Sequence, residues 1–330
     1  MPDWTIHGGR LSGARQAYPH ARTPWLDLST GINPLAWPGA DGIAIDWRRL
    51  PDEADLATLE SVAAVNFAVS PDRVCALPGT EMGLRSLSLL GLPGPWRHGV
   101  PGYASHAAAF PGSRGVPDAA LMDEAVQGGT MLIANPANPT GRMLTVAALL
   151  ALARRIGAAG GWLVVDEAFV DAQPDSSILP HLRPDDPVIV LRSFGKFFGL
   201  AGVRLGFAVG PAERLAPLRD RMGSWPLSAA AIAIGTAAYA DRDWIGATRD
   251  ALVARAAALD AVLRRHHLEP QGKSPLFRLI VDCDAPALFD RLARQGIWTR
   301  PFDHDPRWLR LGVPGHAADL ARLDRALAHG

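Results

Sequence analysis

Residues 190–207 read VLRSFGKFFGLAGVRLGF. They close the apolar run PVIVL (187–191), the kind of run found in a strand buried on both faces, and polar residues begin where the run stops. After a glycine-punctuated turn, LGFAVG (205–210) begins another apolar strand. Between the two stands Lys196, set between a glycine and two phenylalanines. The 33 basic residues of the chain are 31 arginines and two lysines, Lys196 and Lys273. Where this chain needs a bare positive charge it uses arginine, so a lysine at a strand end needs its own reason.

Working outward, the same pattern recurs. RVCALPGTEMGLRSLSLLG (73–91) reads as strand, glycine turn and helix. TMLIANPANPTG (130–141) is a short apolar strand running into a Pro/Asn turn, and TVAALLALARRIGAAGG (145–161) is a helix with a glycine stop. WLVVDEAF (162–169) is another buried-type strand with a polar residue past its end. LATLESVAAVNFAV (56–69) has helical spacing, and the chain reads as helical from about Ala212 to His267. Beyond it lie LFRLIVDC, APALFDRLARQG, IWTRPF, RWLRLGV and ADLARLDRALA, a small α+β unit. Strands alternating with helices predict an α/β fold with a mostly parallel sheet covered on both faces. The expected organisation is an extended N-terminal arm over residues 1–50, a large domain over 51–225 and a small α+β domain over 226–330.

In an open α/β sheet the ligand lies beyond the carboxyl ends of the strands. The polar groups at those ends are Gly79, Thr80 and Glu81, then Asn135 to Asn138, Asp166, and Ser193 to Lys196. They are expected to converge.

The composition excludes several classes. Formal net charge is zero, so no global field favours nucleic acid or an anionic membrane. The longest apolar stretch, PLSAAAIAIGTAAYA (226–240), is too short to span a bilayer, and MPDWTIHGGRLSGARQ has no apolar signal region. Cys75 and Cys283 are far apart in apolar or strand-like surroundings, which reads as two buried, inert thiols in a reduced, cytoplasmic protein. The ten histidines show no metal-ligand spacing. GKS (272–274) lacks the glycine five places earlier that a phosphate-binding P-loop needs, since His267 stands there.

The chemistry follows from residue types. An ammonium is costly to bury, so its pKa falls and the neutral amine becomes available to attack an aldehyde and form a Schiff base, which arginine cannot do. The competing reading of Lys196 is a surface pair with a carboxylate. Asp166, after a buried strand, suits a pyridine nitrogen that must stay protonated, or simply caps a turn. Gly79-Thr80-Glu81 opens a helix, where unpaired N–H groups favour a phosphate. Ser193 and Arg204 flank Lys196 and can hold the same phosphate from its other side. Asn138 can donate to a ring hydroxyl, or be an ordinary Asn-Pro turn.

NPANPTG (135–141), VVDEAF (164–169), RSFGKFFGLAGVRLGF (192–207) and the late WLRLGVP (308–314) together resemble the fold-type I pyridoxal-phosphate enzymes of the aspartate-aminotransferase superfamily. The resemblance implies that family's fold, a mostly parallel seven-stranded sheet in a large domain with a smaller α+β domain. Two neighbouring groups within it are similar to this chain: the histidinol-phosphate aminotransferases and the threonine-phosphate decarboxylases of cobalamin synthesis. IHGGR (6–10), PWLDLSTGINP (24–34) and DEAF (166–169) resemble the decarboxylases.

The resemblance implies pyridoxal 5'-phosphate as cofactor, with Lys196 as its Schiff-base lysine, Asp166 on the pyridine nitrogen and Asn138 on the ring hydroxyl. Tyr103 is implied on the ring face, with His106 as a second candidate. Gly79, Thr80, Glu81, Ser193 and Arg204 surround the phosphate, Thr80 and Glu81 through their backbone N–H groups. Arg310 takes the substrate carboxylate, Arg300 the substrate phosphate, and Asn33 lies near the substrate. His7 either reaches a neighbouring subunit's substrate phosphate or is an ordinary arm histidine. The implied reaction is decarboxylation of O-phosphothreonine; transamination of histidinol phosphate and a non-catalytic cofactor-binding protein are the alternatives. A homodimer is implied, with the tryptophans of the arm (Trp4, Trp25, Trp37, Trp47) as a source of interface area. Two positions depart from the relatives: Phe169 stands where aminotransferases carry tyrosine, and Leu50-Pro51 where a Tyr-Pro reaches across the dimer.

Overall fold

The computed structural model describes residues 8–328. In chain order its elements are α1 (Leu11–Ala17), β1 (Leu26–Asp27), α2 (Glu53–Phe67), β2 (Val74–Leu77), α3 (Thr80–Ser86), β3 (Trp96–Val100), α4 (Ala104–Ala109), β4 (Arg114–Pro117), α5 (Leu121–Glu124), β5 (Thr130–Ala134), α6 (Val146–Ala158), β6 (Trp162–Asp166) and β7 (Val188–Ser193). There follow α7 (Phe194–Phe197), β8 (Gly206–Val209), α8 (Ala212–Met222), α9 (Ala229–Ala240), α10 (Arg242–Arg265), β9 (Pro270–Gln271), β10 (Phe277–Ile280), α11 (Ala285–Arg294), β11 (Ile297–Trp298), β12 (Arg300–Pro301), β13 (Leu309–Gly312) and α12 (Ala317–Ala328). The chain forms two compact units. The larger holds residues 36–138 and 143–246; the smaller holds, of the described residues, 8–35, 139–142 and 247–328.

The larger unit is built on a seven-stranded sheet of order β2-β8-β7-β6-β5-β3-β4. β4, β3, β5, β6 and β7 run parallel; β8 is antiparallel to both its neighbours, β7 and β2. β2 and β7 therefore point the same way. β5 and β7 are buried at every position, as their unbroken apolar runs require. On one face Leu77, Leu132, Val164, Ile189 and Leu191 pack with Leu84, Leu87, Leu90, Leu215 and Leu218. α6 shows how the helices are cut: Thr145 caps it by accepting from the Ala148 N–H, and Leu149, Leu152, Ala153 and Ile156 bury one face.

The stretch read as helical from about Ala212 to His267 is three helices, α8, α9 and α10. Gly223, with φ +71°, ends α8. Ser228 caps α9 by accepting from the Ala231 N–H, and Asp241 closes it. α9 packs with α2: the Phe67 and Tyr239 rings meet edge to face at 5.6 Å, and Asn66 Nδ2 donates to the Tyr239 carbonyl at 2.9 Å. For this reason the units change over after Gly246, where the sequence reading drew the line at 225.

The smaller unit carries an antiparallel sheet of order β12-β13-β10-β9. The N-terminal segment is not simply extended, since it forms α1 and then β1, which pairs in parallel with β11. Trp298 is fully buried at that junction, with the rings of Trp25, Tyr18 and Phe289 around it, and its Nε1 donates to the Gly9 carbonyl at 2.8 Å. The arm ends at Leu35 rather than residue 50. Trp37 already belongs to the larger unit, buried, with its Nε1 donating to Asp241 at 2.9 Å.

Candidate active site

The sheet topology brings the polar strand ends of the larger unit to one edge. Ala134, Asp166 and Leu191 form one row across β5, β6 and β7, and Ser193, Gly206 and Leu77 form the next across β7, β8 and β2. Asp166 and Ser193 stand in these rows, and just beyond them lie Asn135 to Asn138, Phe194 to Lys196, and Gly79 to Glu81. Asp166 and Ser193 are buried, as is Asn138.

Asp166 is held from two sides. Its Oδ1 accepts from the Ala168 N–H at 3.1 Å, and its Oδ2 lies 2.9 Å from His106 Nε2. His106 is fully buried in α4, and its Nδ1 has no hydrogen-bond partner. Lys196, half-buried in the single turn of α7, places its Nζ 6.0 Å from the centre of the Phe169 ring. Ser193 caps that turn with an extended backbone, carrying the chain out of β7.

The start of α3 lies beside these groups. Gly79 has φ +90°, and a Cβ placed on it would sit 2.8 Å from Arg204 Nη2. A Cβ on Gly206 would come within 2.7 Å of the Thr80 nitrogen. Only glycine fits either place, so the helix start, the end of β7 and the Arg204 guanidinium come together closely. The first N–H groups of a helix have no intrahelical partner, and the dipole there favours an anion.

The Glu81 side chain does something the sequence did not suggest. It accepts from Tyr103 Oη at 3.2 Å, Ser105 Oγ at 3.0 Å and Arg85 Nε at 2.9 Å. Burial alone would raise its pKa, but the bonds from Arg85, Ser105 and Tyr103 outweigh that and hold it below the usual carboxylate range. Tyr103 is raised, by burial first; the Ser105 bond opposes this, and the charge and hydrogen bond of Glu81 add to it.

Sequence reasoning also missed a charge cluster behind the site. Glu167 is wholly buried and accepts from Ser177 Oγ at 2.7 Å, the Ile178 N–H at 2.8 Å and Arg192 Nη1 at 3.4 Å. Arg192 Nη2 bonds to Asp171, and the guanidinium lies 4.4 Å over the Phe67 ring. Burial pushes the Glu167 carboxyl up despite Arg192. Burial opposes the charge on Arg192 too, but Asp171 and Glu167 outweigh it and raise its pKa. The available signal was an arginine beside a serine at the end of an otherwise apolar strand, since a buried charge must be paired.

Within the smaller unit, Arg300 on β12 stands directly opposite Arg310 on β13. Both are buried. Arg310 Nη2 donates to the Ser29 carbonyl at 2.8 Å and its guanidinium lies 5.0 Å over the Phe277 ring, while that of Arg300 lies 4.8 Å over Phe302. Burial first, then the Arg300 charge, pulls the Arg310 pKa well down; Asp27 opposes this. Asn33 is buried in the same unit, its Oδ1 accepting from the Leu35 N–H at 3.1 Å. His7 and Trp4 lie outside the described residues.

Of the remaining expectations, Cys75 is buried, its thiol pushed up to about 12 by burial, whereas Cys283 is only partly buried. Among the arm tryptophans, Trp47 is exposed at 76%, while Trp37 is buried and Trp25 packs on Trp298. Among the described residues no helix is long and apolar enough to cross a membrane, and no group of three or more His, Cys, Asp or Glu is placed to hold a metal ion.

Comparison with known proteins places the chain. The family model described as aminotransferase class I and II matches residues 118–328. The threonine-phosphate decarboxylase of Pseudomonas aeruginosa is 42% identical, over 97% of this chain and 96% of its own length. That of a Sinorhizobium species is 39% identical, over 98% and 97%. Among solved structures, the histidinol-phosphate aminotransferase of Sinorhizobium meliloti in complex with pyridoxal-5'-phosphate is similar in fold, with a TM-score of 0.80 at 23% identity, over 96% of this chain and 92% of that one. The chain belongs to the class I and II aminotransferase family.

Proposed function

We propose that this chain is a pyridoxal-phosphate-dependent decarboxylase. It converts L-threonine O-3-phosphate to carbon dioxide and (R)-1-amino-2-propanol O-2-phosphate, a step of cobalamin biosynthesis. The observation that carries this reading is likeness along nearly the whole chain to two threonine-phosphate decarboxylases. The donor set of the larger unit fits the cofactor. It offers an amine against an apolar ring, a buried carboxylate at a strand end, and a glycine-lined helix start beneath an arginine.

In this reading Lys196 carries the cofactor through its ε-amine and Asp166, steadied by His106, keeps the ring nitrogen protonated. Asn138 contacts the ring hydroxyl and Tyr103 the ring face. Gly79, Ser193, Arg204 and the N–H groups of Thr80 and Glu81 hold the phosphate. Bound there, pyridoxal phosphate supplies an electron sink for the pair left on Cα when a bond to it breaks.

Arg310 takes the substrate carboxylate and Arg300 its phosphate, with Asn33 beside them. Two buried cations facing each other repel, so the pair suits a ligand with two anionic ends. Gripping both ends fixes rotation about the bonds of Cα, and that orientation selects which bond breaks. A tight Arg310–carboxylate pair also stabilises the ground state and so opposes loss of carbon dioxide. Positioning must outweigh this, and the aromatic stacking and backbone bond of Arg310 hold the cation in one place. A proton delivered to Cα completes the product.

We further propose that the protein works as a cytoplasmic homodimer. Trp47 and Leu50 are exposed, and Leu50 helps line a cavity of about 420 Å³ with Ile45, Pro51, Ile232 and Ala233. Sedimentation of the purified protein tests the dimer.

Incubation of the holoenzyme with O-phosphothreonine tests the reaction. Release of carbon dioxide with aminopropanol phosphate is expected. Formation of a keto acid instead would make the protein an aminotransferase.

A further inference from the structure

α4 has six residues, too few to be stable by its own helical bonds. Yet Tyr103, which precedes it, and Ser105 and His106 in its first turn are each tied to something outside the helix. His106 is bonded to Asp166. Tyr103 and Ser105 are both bonded to Glu81, in the first turn of α3. The Tyr103 and His106 rings meet edge to face at 5.7 Å. The turn is therefore held from two sides, by Asp166 on one and Glu81 on the other.

We propose that the Glu81 carboxylate is a positioning residue: through Tyr103 Oη and Ser105 Oγ it fixes the plane of the Tyr103 ring and the seat of His106 against Asp166. This rests on the reading that pyridoxal phosphate binds beside these groups. It gives the Glu81 side chain a task separate from that of its backbone N–H. Both bonds run from hydroxyls to an ionised acceptor, the stronger class of hydrogen bond. Arg85 also donates to Glu81 and helps keep it ionised, although its own side chain is mostly exposed and the pair is partly screened. The Tyr103 proton is committed to Glu81, so the phenol stays neutral and serves as a fixed ring.

The test compares Glu81→Ala and Glu81→Gln with the parent protein. The first reading is the ionisation of Tyr103 in the apoprotein, followed by ultraviolet absorbance and assigned by difference against Tyr103→Phe. Both variants should ionise at lower pH than the parent, because the carboxylate charge is gone. The second is the visible circular dichroism of the bound cofactor, which reports the tilt of its ring. It should fall by about half or more in Glu81→Ala and be largely kept in Glu81→Gln, whose amide oxygen still accepts one bond. The third is kinetic: in Glu81→Ala kcat should fall about tenfold or more with KM within about threefold. An unmoved Tyr103 titration in Glu81→Gln, or parental dichroism and kcat in Glu81→Ala, overturns the proposal. Should the parent holoenzyme release no carbon dioxide, the reaction assigned above fails, while the apoprotein titration and the dichroism still decide the role of Glu81.

Discussion

Arg300 and Arg310 face each other in register across an antiparallel strand pair, both buried. Like charges placed so oppose folding, and a doubly anionic ligand relieves them. Replacing either arginine by glutamine should therefore leave the ligand-free protein no less stable by much, yet remove a desolvated charge contact from the bound state. Loss of such a contact costs about 2–5 kcal/mol, or at least about thirtyfold in kcat/KM. Arg300→Gln should show this penalty with O-phosphothreonine but not with threonine, which has no phosphate. Arg310→Gln should show it with both. Equal penalties for both substrates in Arg300→Gln would remove the phosphate from that residue.

Lys196 stands against Phe169, in a chain that otherwise chooses arginine. If it served as a charge, Lys196→Arg would keep most of the activity. A role for the neutral amine predicts the opposite. Lys196→Arg and Lys196→Ala should both lose the visible absorbance of the bound cofactor and its borohydride trapping, and turnover should fall by more than about 10³. Mass spectrometry of the reduced parent protein should place the adduct on the peptide that holds Lys196.

Much of this was legible in the sequence because the physics is local. β5, β6 and β7 are apolar along their length, so their ends, and with them Asp166, Ser193 and Lys196, could be read directly. β3 and β4 could not. Arg97 and His98 interrupt β3, and the Arg97 guanidinium donates to groups some 30 residues on, at Glu124 and Gly128. Glu81 was legible as a helix start, but its side-chain partners lie across a strand and a turn. The facing of Arg300 and Arg310 depends on the length of the 302–308 connection, which spacing alone does not fix. The helical character from Ala212 onward was legible, but its division into three helices was not, because alanine-rich periodicity hides short breaks, here at Gly223 and Asp241.

The Glu167–Arg192–Asp171 cluster predicts an asymmetry in stability. Arg192→Ala leaves two buried carboxylates without their cation, and breaking a buried pair from one side costs about 3–5 kcal/mol. The triple variant Glu167→Gln, Asp171→Asn, Arg192→Met removes the charges together and should cost less than the single change. Urea unfolding of the three proteins checks the order. A single variant as stable as the parent would mean that the cluster is solvated in solution.

Tyr18 gives a signature at alkaline pH. Its hydroxyl donates to Asp290 Oδ1 at 3.1 Å, and burial first, then that bond, push its pKa from 10.0 up to about 12. Below 10 the phenol is protonated in both folded and unfolded chains, and its contribution is present in full. Between 10 and about 12 the unfolded chain gives up the proton first, so the native state binds more protons and stability falls as pH rises. Above that range the contribution is gone. Tyr18→Phe should therefore be less stable than the parent at about pH 8, with the gap closing as pH rises from 10 to about 12. Tyr18 is half-exposed, so screening keeps the amplitude below what the full shift would give. The other tyrosines titrate alike in both proteins and cancel in the difference. A gap in unfolding free energy that stays constant across this range would show that the Tyr18 phenol ionises no later in the folded chain than in the unfolded one.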